Sequence, residues 1–400
     1  MITSPYKNKK TNPELVIALL LIMSLLGVFP LDVILPSFPA LGMHLEVDTT
    51  HIAYSISLFA LSVAAAQLVL GPLSDKIGRK RLLLLGLLTS IVGAVGCVIS
   101  THYLTFIGFR ILQAVGCGCF VLTQALVQDL FEGKQRNAMR ILQTSASGLF
   151  ISLSLLTGSW LQQAFDWPGS FITFTQLACI ALLMSLFFLR DDTHKNTSKV
   201  DYFAIYRTLL HDREFVAYSV IAAIAFTCHF SFIVLSPLLF IDQLGLSPHN
   251  FAQVFVLYAI AFVVGGLVAG CFNQRLSTSV QILIGLGLIV LAGLMMVMGA
   301  WTQSPSLMST LIPMIVATTG TTLALPAATS CALALQQTRV GAAASMINTL
   351  VLAVGAAGSG VITLFSEQVA TSLGVGFMLL ATGSMLLLPR YPHRPLDPAC

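Results

Sequence analysis

The amino-acid sequence predicts an all-α, polytopic membrane protein with twelve transmembrane helices in two six-helix bundles. Three observations predict this class. Of the 400 residues, 56% are hydrophobic and only 9% are charged, whereas a water-soluble domain usually carries about 25% charged residues. The apolar residues come in long blocks, and a bilayer-spanning helix needs a block of about 20. The blocks also lack the alternation that the ~10-residue strands of a membrane β-barrel would show.

Hydropathy and turn signals divide the chain into twelve predicted spans. They run roughly over 15–40, 51–72, 82–100, 104–128, 141–163, 170–189, 216–241, 251–272, 279–300, 307–334, 342–365 and 372–389. The first apolar block is too long for a signal peptide and has no small-residue cleavage site after it, so we interpret it as a retained span. The eight cysteines form no CxxC pair, and we expect no metal site.

The basic residues predict the orientation of the chain. Nineteen of its twenty Lys and Arg fall in the two tails and in alternate loops, and the loops on the opposite side have none. Cytoplasmic loops collect Lys and Arg. We therefore expect both termini in the cytoplasm and the protein in a bacterial-type inner membrane. The twentieth basic residue is Arg110, inside span 4.

The longest polar stretch, residues 191–215, predicts a cytoplasmic central loop between an N-terminal bundle (1–190) and a C-terminal bundle (216–400). The two halves also resemble each other. With an offset of 199, the window 58–71 lies over the window 257–270, and five positions are identical. Parallel repeats of six spans are a transporter architecture.

The segment GPLSDKIGRKR follows span 2, and it predicts a turn with Gly71 and Gly78 around it. A turn followed by a basic anchor would explain the basic residues, but neither the acidic residue between them nor the two glycines. The segment resembles the signature loop of the major facilitator superfamily. The matching positions are Gly71, Leu73, Asp75, Lys76, Gly78, Arg79 and Lys80. The resemblance implies the major facilitator fold and a charge network, acting as a conformational gate, that helps hold one face closed.

Span 4 carries a series of polar residues at helical spacing. Its members, spaced by 3, 4, 7 and 4 residues, are Arg110, Gln113, Cys117, Gln124 and Gln128. This spacing predicts one shared helical face. An intramembrane Arg costs ~2.5–3.5 kcal/mol or more, so the face should look into protein or water. Hydrogen bonding between helices is the alternative for the Gln residues. The run 110–116 also resembles a superfamily motif, with Ala114 in place of its first Gly.

Residues 32–39, DVILPSFP, place the carboxylate of Asp32 inside span 1. They resemble the end of span 1 in drug:proton antiporters of the bicyclomycin-resistance and chloramphenicol-efflux (Bcr/CflA) family. Ser236-Pro237 in span 7 resembles another motif of that branch. In span 5, Gly158 and Trp160 keep the frame of the antiporter motif, but its Pro and one Gly are missing. This departure weakens the prediction of antiport over symport.

Asp32 and Arg110 are predicted to couple transport to protons. Counted from the outer ends of their spans, both lie ~10 Å deep, and no other charged side chain is placed so far inside the hydrophobic zone. If they pair in one conformation and separate in another, the proton affinity of Asp32 changes with the cycle. The alternative is a static ion pair that holds spans 1 and 4 together.

His229, near the middle of span 7, is a candidate for substrate binding or proton relay. The alternative is a neutral hydrogen-bonding side chain inside the bundle. The other candidates for the substrate cavity are polar or aromatic residues in spans 2, 4, 8 and 11, namely Gln113, Gln124, Asn348, Tyr54 and Tyr258.

Together these features predict a monomeric secondary transporter that exports small amphipathic compounds by alternating access. The chain has no nucleotide-binding motif, so the proton gradient is the expected driving force, without a cofactor. No nucleophile–base set indicates an enzyme, and the topological origin of the +4 charge argues against a nucleic-acid partner. Two alternatives remain: export of a siderophore or related metabolite, and proton-symport import.

Overall fold

The computed structural model describes residues 13–131, 133–189, 202–273, 276–302, 306–336 and 340–388. These residues form helices and short connections, without any strand among them. Eleven of the helices they contain are long and apolar enough to cross a membrane. The remaining predicted span, 141–163, lies within the helix Gly133–Phe165. The structure confirms the all-α, polytopic class.

The described residues contain fifteen α-helices, numbered in chain order. They are α1 Pro13–Asp32, α2 Phe38–Leu45, α3 Thr49–Ile77, α4 Arg79–Ile99, α5 Tyr103–Cys117, α6 Leu122–Leu130, α7 Gly133–Phe165, α8 Pro168–Phe188, α9 Tyr202–His211, α10 Arg213–Pro237, α11 Pro248–Asn273, α12 Thr278–Thr302, α13 Leu307–Ala334, α14 Val340–Thr363 and α15 Val369–Leu386.

The helices group into two units. The first unit is Met1–Asp48 with Ser62–Lys199, and the second is Thr49–Leu61 with Val200–Cys400. In the first unit α4 packs against α5 and α8, and α1 packs against α7. In the second unit α12 packs against α13 and α15, and α10 packs against α14. Each of these three pairings in the second unit therefore joins two spans that come six places later in the chain than the two spans paired in the first unit. This is expected for parallel six-span repeats.

Glycines let helix backbones meet closely in both units. A Cβ on Gly93 of α4 would lie 2.3 Å from the backbone nitrogen of Gln113 in α5. In the second unit, a Cβ on Gly285 would lie 2.6 Å from the carbonyl oxygen of Gly320, and the reciprocal distance is 2.5 Å. Small residues at such crossings allow the van der Waals packing that holds membrane helices together.

The first predicted span, 15–40, is confirmed as the candidate membrane span Glu14–Leu45, but its helix is broken. The helix α1 ends at Asp32, a 3₁₀ turn covers Leu35–Ser37, and α2 begins at Phe38. Pro36 explains part of the break, because proline lacks an N–H and disfavours the α conformation of the residue before it. The break places irregular backbone directly after the buried carboxylate.

Span 2 extends beyond the Gly71-Pro72 pair at which its apolar residues end. The helix α3 continues through both residues to Ile77. Near the proline, the Ser74 hydroxyl donates to the Gly71 carbonyl of the same helix at 2.7 Å. The chain turns instead at Gly78, whose φ of 102° lies in the region that favours glycine.

We expect Gly78→Ala to destabilise the protein by about 1–3 kcal/mol, the usual cost of a strained backbone conformation. A Cβ at this position would meet no atom within 4 Å, so the cost comes from the backbone alone. Gly71→Ala is the matched control, because its Cβ would also meet nothing and its backbone is helical. Thermal unfolding in detergent should separate the two variants, and equal stabilities would contradict the assignment of the turn to Gly78.

Span 4 is interrupted as well. A 3₁₀ turn, Gly118–Val121, separates α5 from α6, and a Cβ on Gly118 would lie 2.5 Å from the Ala66 Cβ of α3. Four residues at three per turn rotate the following helix by ~80° relative to a continuous α-helix. Within α5 the shared face of Arg110 and Gln113 is kept, whereas the side chains of Gln124 and Gln128 lie outside the described part, so their place on that face stays a prediction.

The predicted central loop contains a short helix that the sequence did not indicate. This helix, α9, packs against α10 and α14. Directly after it, the Asp212 carboxylate caps α10 by accepting from the Phe215 backbone N–H at 3.2 Å, and it also accepts from Gln336 Nε2 at 2.9 Å. The first membrane span after the central loop thus begins at a capped helix end.

Candidate functional site

Asp32 is the last residue of α1, and only 6% of its surface is exposed. The last four carbonyl groups of a helix have no partner within that helix. Inside a membrane, such groups need partners from the protein, because lipid offers none. The end of α1 therefore requires side chains from neighbouring helices at the position of the carboxylate.

Arg110 of α5 supplies one of these partners. Its side chain is only 2% exposed. The guanidinium Nη2 donates to the Pro30 carbonyl in the last turn of α1 at 2.5 Å, and Nη1 donates to Gln113 Oε1 at 2.7 Å. Its central carbon also lies 5.5 Å from the centre of the Phe171 ring, a cation–π distance. The positive charge is thus placed at the negative end of the α1 dipole.

Two further residues contact the backbone just after Asp32. The Ser170 hydroxyl of α8 donates to the Val33 carbonyl at 3.3 Å. Gly158 of α7 faces the same carbonyl so closely that a Cβ would lie 2.2 Å from its oxygen. Three helices of the first unit, α5, α7 and α8, therefore surround the broken end of α1.

The expected partnership of Asp32 and Arg110 takes an indirect form in this structure. Among the described residues, the Asp32 carboxylate has no hydrogen bond or ion pair, and Arg110 instead bonds to the carbonyl two residues earlier. The structure therefore differs from the static ion pair that was the alternative interpretation. The coupling role of both residues stays a prediction.

The other predicted cavity residues fall in different places. Gln113 is buried and bonded to Arg110, and its amide nitrogen has no hydrogen-bond partner among the described residues. Gln124 is in α6, but its side chain lies outside the described part. Tyr54 and Asn348 belong to the second unit, in α3 and α14; Tyr54 is half-buried and Asn348 is exposed.

In the second unit, the structure brings His229 and Tyr258 together. The Tyr258 hydroxyl hydrogen-bonds the His229 ring, 3.1 Å from Nε2 and closer to Nδ1. The two rings are also stacked, with centroids 5.5 Å apart and an interplanar angle of 26°. Their grouping as cavity residues stays a prediction, but their direct contact is a fact of the fold.

The conformational gate predicted at residues 71–81 spans the end of α3 and the start of α4. Lys80 Nζ donates to the Leu186 carbonyl at the end of α8 at 3.0 Å, where a cation also suits the helix dipole. The side chain of Asp75 lies outside the described part. The charge network therefore stays a prediction.

Ser170 and Phe171 are functional candidates that the sequence did not indicate. Both are buried near the start of α8, and Phe171 packs edge-on against Phe106 at 5.8 Å. A Ser-Phe pair in an apolar run carries no distinctive pattern. Only the contacts with Val33 and Arg110 identify them.

Within the described residues, no group of three or more His, Cys, Asp or Glu side chains is placed to hold a metal ion. Cysteines that the structure describes without a disulfide bond are Cys97, Cys117, Cys119, Cys179, Cys228 and Cys331. Most of them are buried, as expected for small hydrophobic side chains.

The chain is similar in sequence to known bacterial proteins. The chain is 26% identical over 302 residues to the Bicyclomycin resistance protein homolog of Haemophilus influenzae, covering 73% of this chain and 75% of that protein. It is 24% identical over 230 residues to the Multidrug resistance protein MdtL of Escherichia coli, covering 57% of this chain and 59% of that protein. The match to MdtL thus spans little more than half of that relative.

The chain is also similar in fold to solved structures. The crystal structure of a D-xylose–proton symporter superposes with a TM-score of 0.76 at 13% identity, covering 94% of this chain and 98% of that chain. A bacterial homolog of the human lysosomal transporter Spinster gives a TM-score of 0.65 at 15% identity, covering 94% of each chain. At such low identity these likenesses establish the fold and leave the substrate open.

The family model described as Major Facilitator Superfamily matches residues 18–360, which is most of the chain. The multi-pass helical architecture and the repeated helix pairings agree with this match. The chain therefore belongs to the Major Facilitator Superfamily.

Proposed function

We propose that the chain is a proton-coupled antiporter that exports small amphipathic compounds by alternating access. The names of its relatives, which refer to bicyclomycin and multidrug resistance, support export of drug-like molecules. One observation carries the proposal: a buried carboxylate stands at the broken end of a membrane helix whose carbonyl is held by a buried guanidinium.

The proposed coupling step is an exchange of partners by Arg110. An ionised carboxylate inside a membrane is costly, and a neighbouring cation offsets the cost. Arg110 donates to the Pro30 carbonyl in the present conformation. When the guanidinium turns to the Asp32 carboxylate instead, the proton can leave Asp32. The proton is thus bound in one conformation and released in the other, so its movement is tied to the conformational cycle.

The setting of this activity follows the same proposal. The protein acts in the bacterial-type inner membrane with both termini in the cytoplasm, as the distribution of Lys and Arg indicates. Its partners are the transported compound, protons and the bilayer. It works as a monomer and needs no cofactor, because the proton gradient supplies the free energy.

Proton flux in inverted membrane vesicles tests the proposal. After a proton gradient is established, lipophilic cations, phenicols, bicyclomycin-like neutral compounds and iron-free siderophores are added one at a time. We expect at least one drug-like class to release protons from vesicles that contain the protein, and not from vesicles that lack it. Release by siderophores alone would replace drugs by metabolites as the substrate class. Substrate movement in the same direction as protons would indicate symport and contradict antiport.

A further inference from the structure

Three aromatic side chains in the second unit form a continuous, partly exposed surface. They are Phe226 and His229 of α10 and Phe262 of α11, and we call them the aromatic face. The His229 ring is the centre, 6.1 Å from the Phe226 ring and 5.9 Å from the Phe262 ring. All three side chains are half-buried.

A second, buried layer supports this face. Tyr258 bonds to and stacks on His229, and it is itself stacked on Phe232 with an interplanar angle of 12°. Phe255 lies 5.4 Å from the Tyr258 ring. On the other side, the Phe226 ring occupies the space left by Gly355 of α14, where a Cβ would come within 2.6 Å. The orientation of the half-exposed rings is therefore fixed by packing.

The composition of the face argues against contact with lipid. His229 lies near the middle of the span Arg213–Gln243. Ionisable side chains at this depth almost always face the interior of the bundle or a water-filled cavity. A purely lipid-facing surface would have no use for an imidazole that is held by a tyrosine hydroxyl. The exposed part of the face thus borders a space that a solute can reach.

The charge of the surrounding helices restricts what can bind there. No Asp or Glu occurs between residues 243 and 366. The acidic residues that flank His229 in the chain, Glu214 and Asp242, are 15 and 13 residues away, or about 20 Å along a helix. The aromatic face therefore offers π surfaces and hydrogen bonding, but its own helices place no carboxylate beside it for a cation.

We propose that the aromatic face binds the exported compound and selects planar, uncharged aromatic molecules that carry a hydrogen-bond acceptor. A neutral imidazole has one N–H donor and one acceptor nitrogen. Among the described residues, Tyr258 is its only hydrogen-bond partner. The Tyr258 hydroxyl lies within hydrogen-bonding distance of both ring nitrogens, but it has one proton and donates to one of them at a time, so the N–H on the other nitrogen can donate to a carbonyl or similar oxygen of the ligand. This inference rests on the proposed function and adds the substrate class.

Binding of matched compounds to the purified, full-length protein tests the selection. 1-Naphthamide is planar, neutral and has a carbonyl acceptor. Its saturated analogue, decahydronaphthalene-1-carboxamide, keeps the amide and loses the aromatic rings. 1-Naphthyltrimethylammonium keeps the rings and carries a charge. We expect 1-naphthamide to bind at least about tenfold more tightly than either analogue, the size of one or two aromatic contacts. Equal or tighter binding of the saturated amide or of the cation would overturn the proposal.

Substitutions locate the site. We expect His229→Phe, which keeps a ring and loses the N–H, to weaken 1-naphthamide about tenfold, as for one hydrogen bond. Phe262→Leu should weaken the binding of 1-naphthamide and leave the binding of the saturated amide unchanged. This second variant tests the site if His229→Phe does not fold. Phe187→Leu, at an exposed aromatic side chain in α8, is the control with unchanged binding. Unchanged binding in folded His229→Phe or Phe262→Leu protein would refute the site.

Transport distinguishes this inference from the proposed function. If only non-aromatic or cationic compounds release protons from vesicles, antiport stands and the aromatic selection fails. If 1-naphthamide binds in a His229-dependent manner but no compound releases protons, the site stands and antiport fails.

Discussion

Asp32→Asn should abolish proton-coupled transport and leave a folded protein that still binds its substrate. Asparagine has nearly the size of aspartate but cannot take up or release a proton in the physiological range. The hydrogen bond from Arg110 to the Pro30 carbonyl does not involve the carboxylate, so the packing around the broken end of α1 should persist. In vesicles, substrate-induced proton release should fall to the level seen without the protein.

Substrate counterflow, measured without a proton gradient, provides the control for this variant. Exchange of labelled for unlabelled substrate needs the conformational cycle but no net proton movement, so it should continue in Asp32→Asn. Asp32→Glu retains a titratable group and should keep part of the coupled flux. Full proton coupling in Asp32→Asn would remove Asp32 from the mechanism. Loss of binding in folded protein would instead make it a substrate ligand.

The sequence predicted the parts of the fold that follow from hydropathy and charge. Apolar blocks predicted where helices lie, and the structure confirms the class, because burial of backbone in a membrane leaves few alternatives to the helix. It predicted less well where helices break. Span 1 breaks after Asp32 and span 4 after Cys117. Pro36 accounts for part of the first break, but the close approach of Gly118 to α3 at the second is not encoded in a local pattern.

The candidate site shows the same division. Asp32 and Arg110 were predictable because charge inside an apolar block is costly and therefore unusual. The bond from Arg110 to the Pro30 carbonyl was not predictable, because it exists only once α1 ends and the fold places Arg110 of α5 beside its last turn. Ser170 was invisible for the same reason. A serine is common in membrane helices, and only the hydrogen bond to the buried Val33 carbonyl distinguishes Ser170.

Gly158→Ala should have the second large effect, because it acts on the backbone that positions Asp32. The new Cβ would lie 2.2 Å from the Val33 carbonyl oxygen and 3.0 Å from its carbon, so backbone has to move. Overpacking of this kind typically costs about 1–3 kcal/mol. Val33 is the residue after Asp32, and its movement also disturbs the bond from Ser170. We expect lower thermal stability together with fewer protons moved per substrate.

Two other glycines separate a general packing defect from an effect on coupling. Gly108→Ala in α5 meets no atom within 4 Å and should be neutral or slightly stabilising, since alanine favours a helix by roughly 0.5–1 kcal/mol over glycine. Gly285→Ala overpacks α12 against Gly320 at 2.6 Å, in the second unit. It should lower stability but keep the proton-to-substrate ratio. Of these three glycines, only Gly158 faces the broken end of α1. An unchanged proton-to-substrate ratio in Gly158→Ala would therefore mean that the position of Val33 does not control the proton on Asp32.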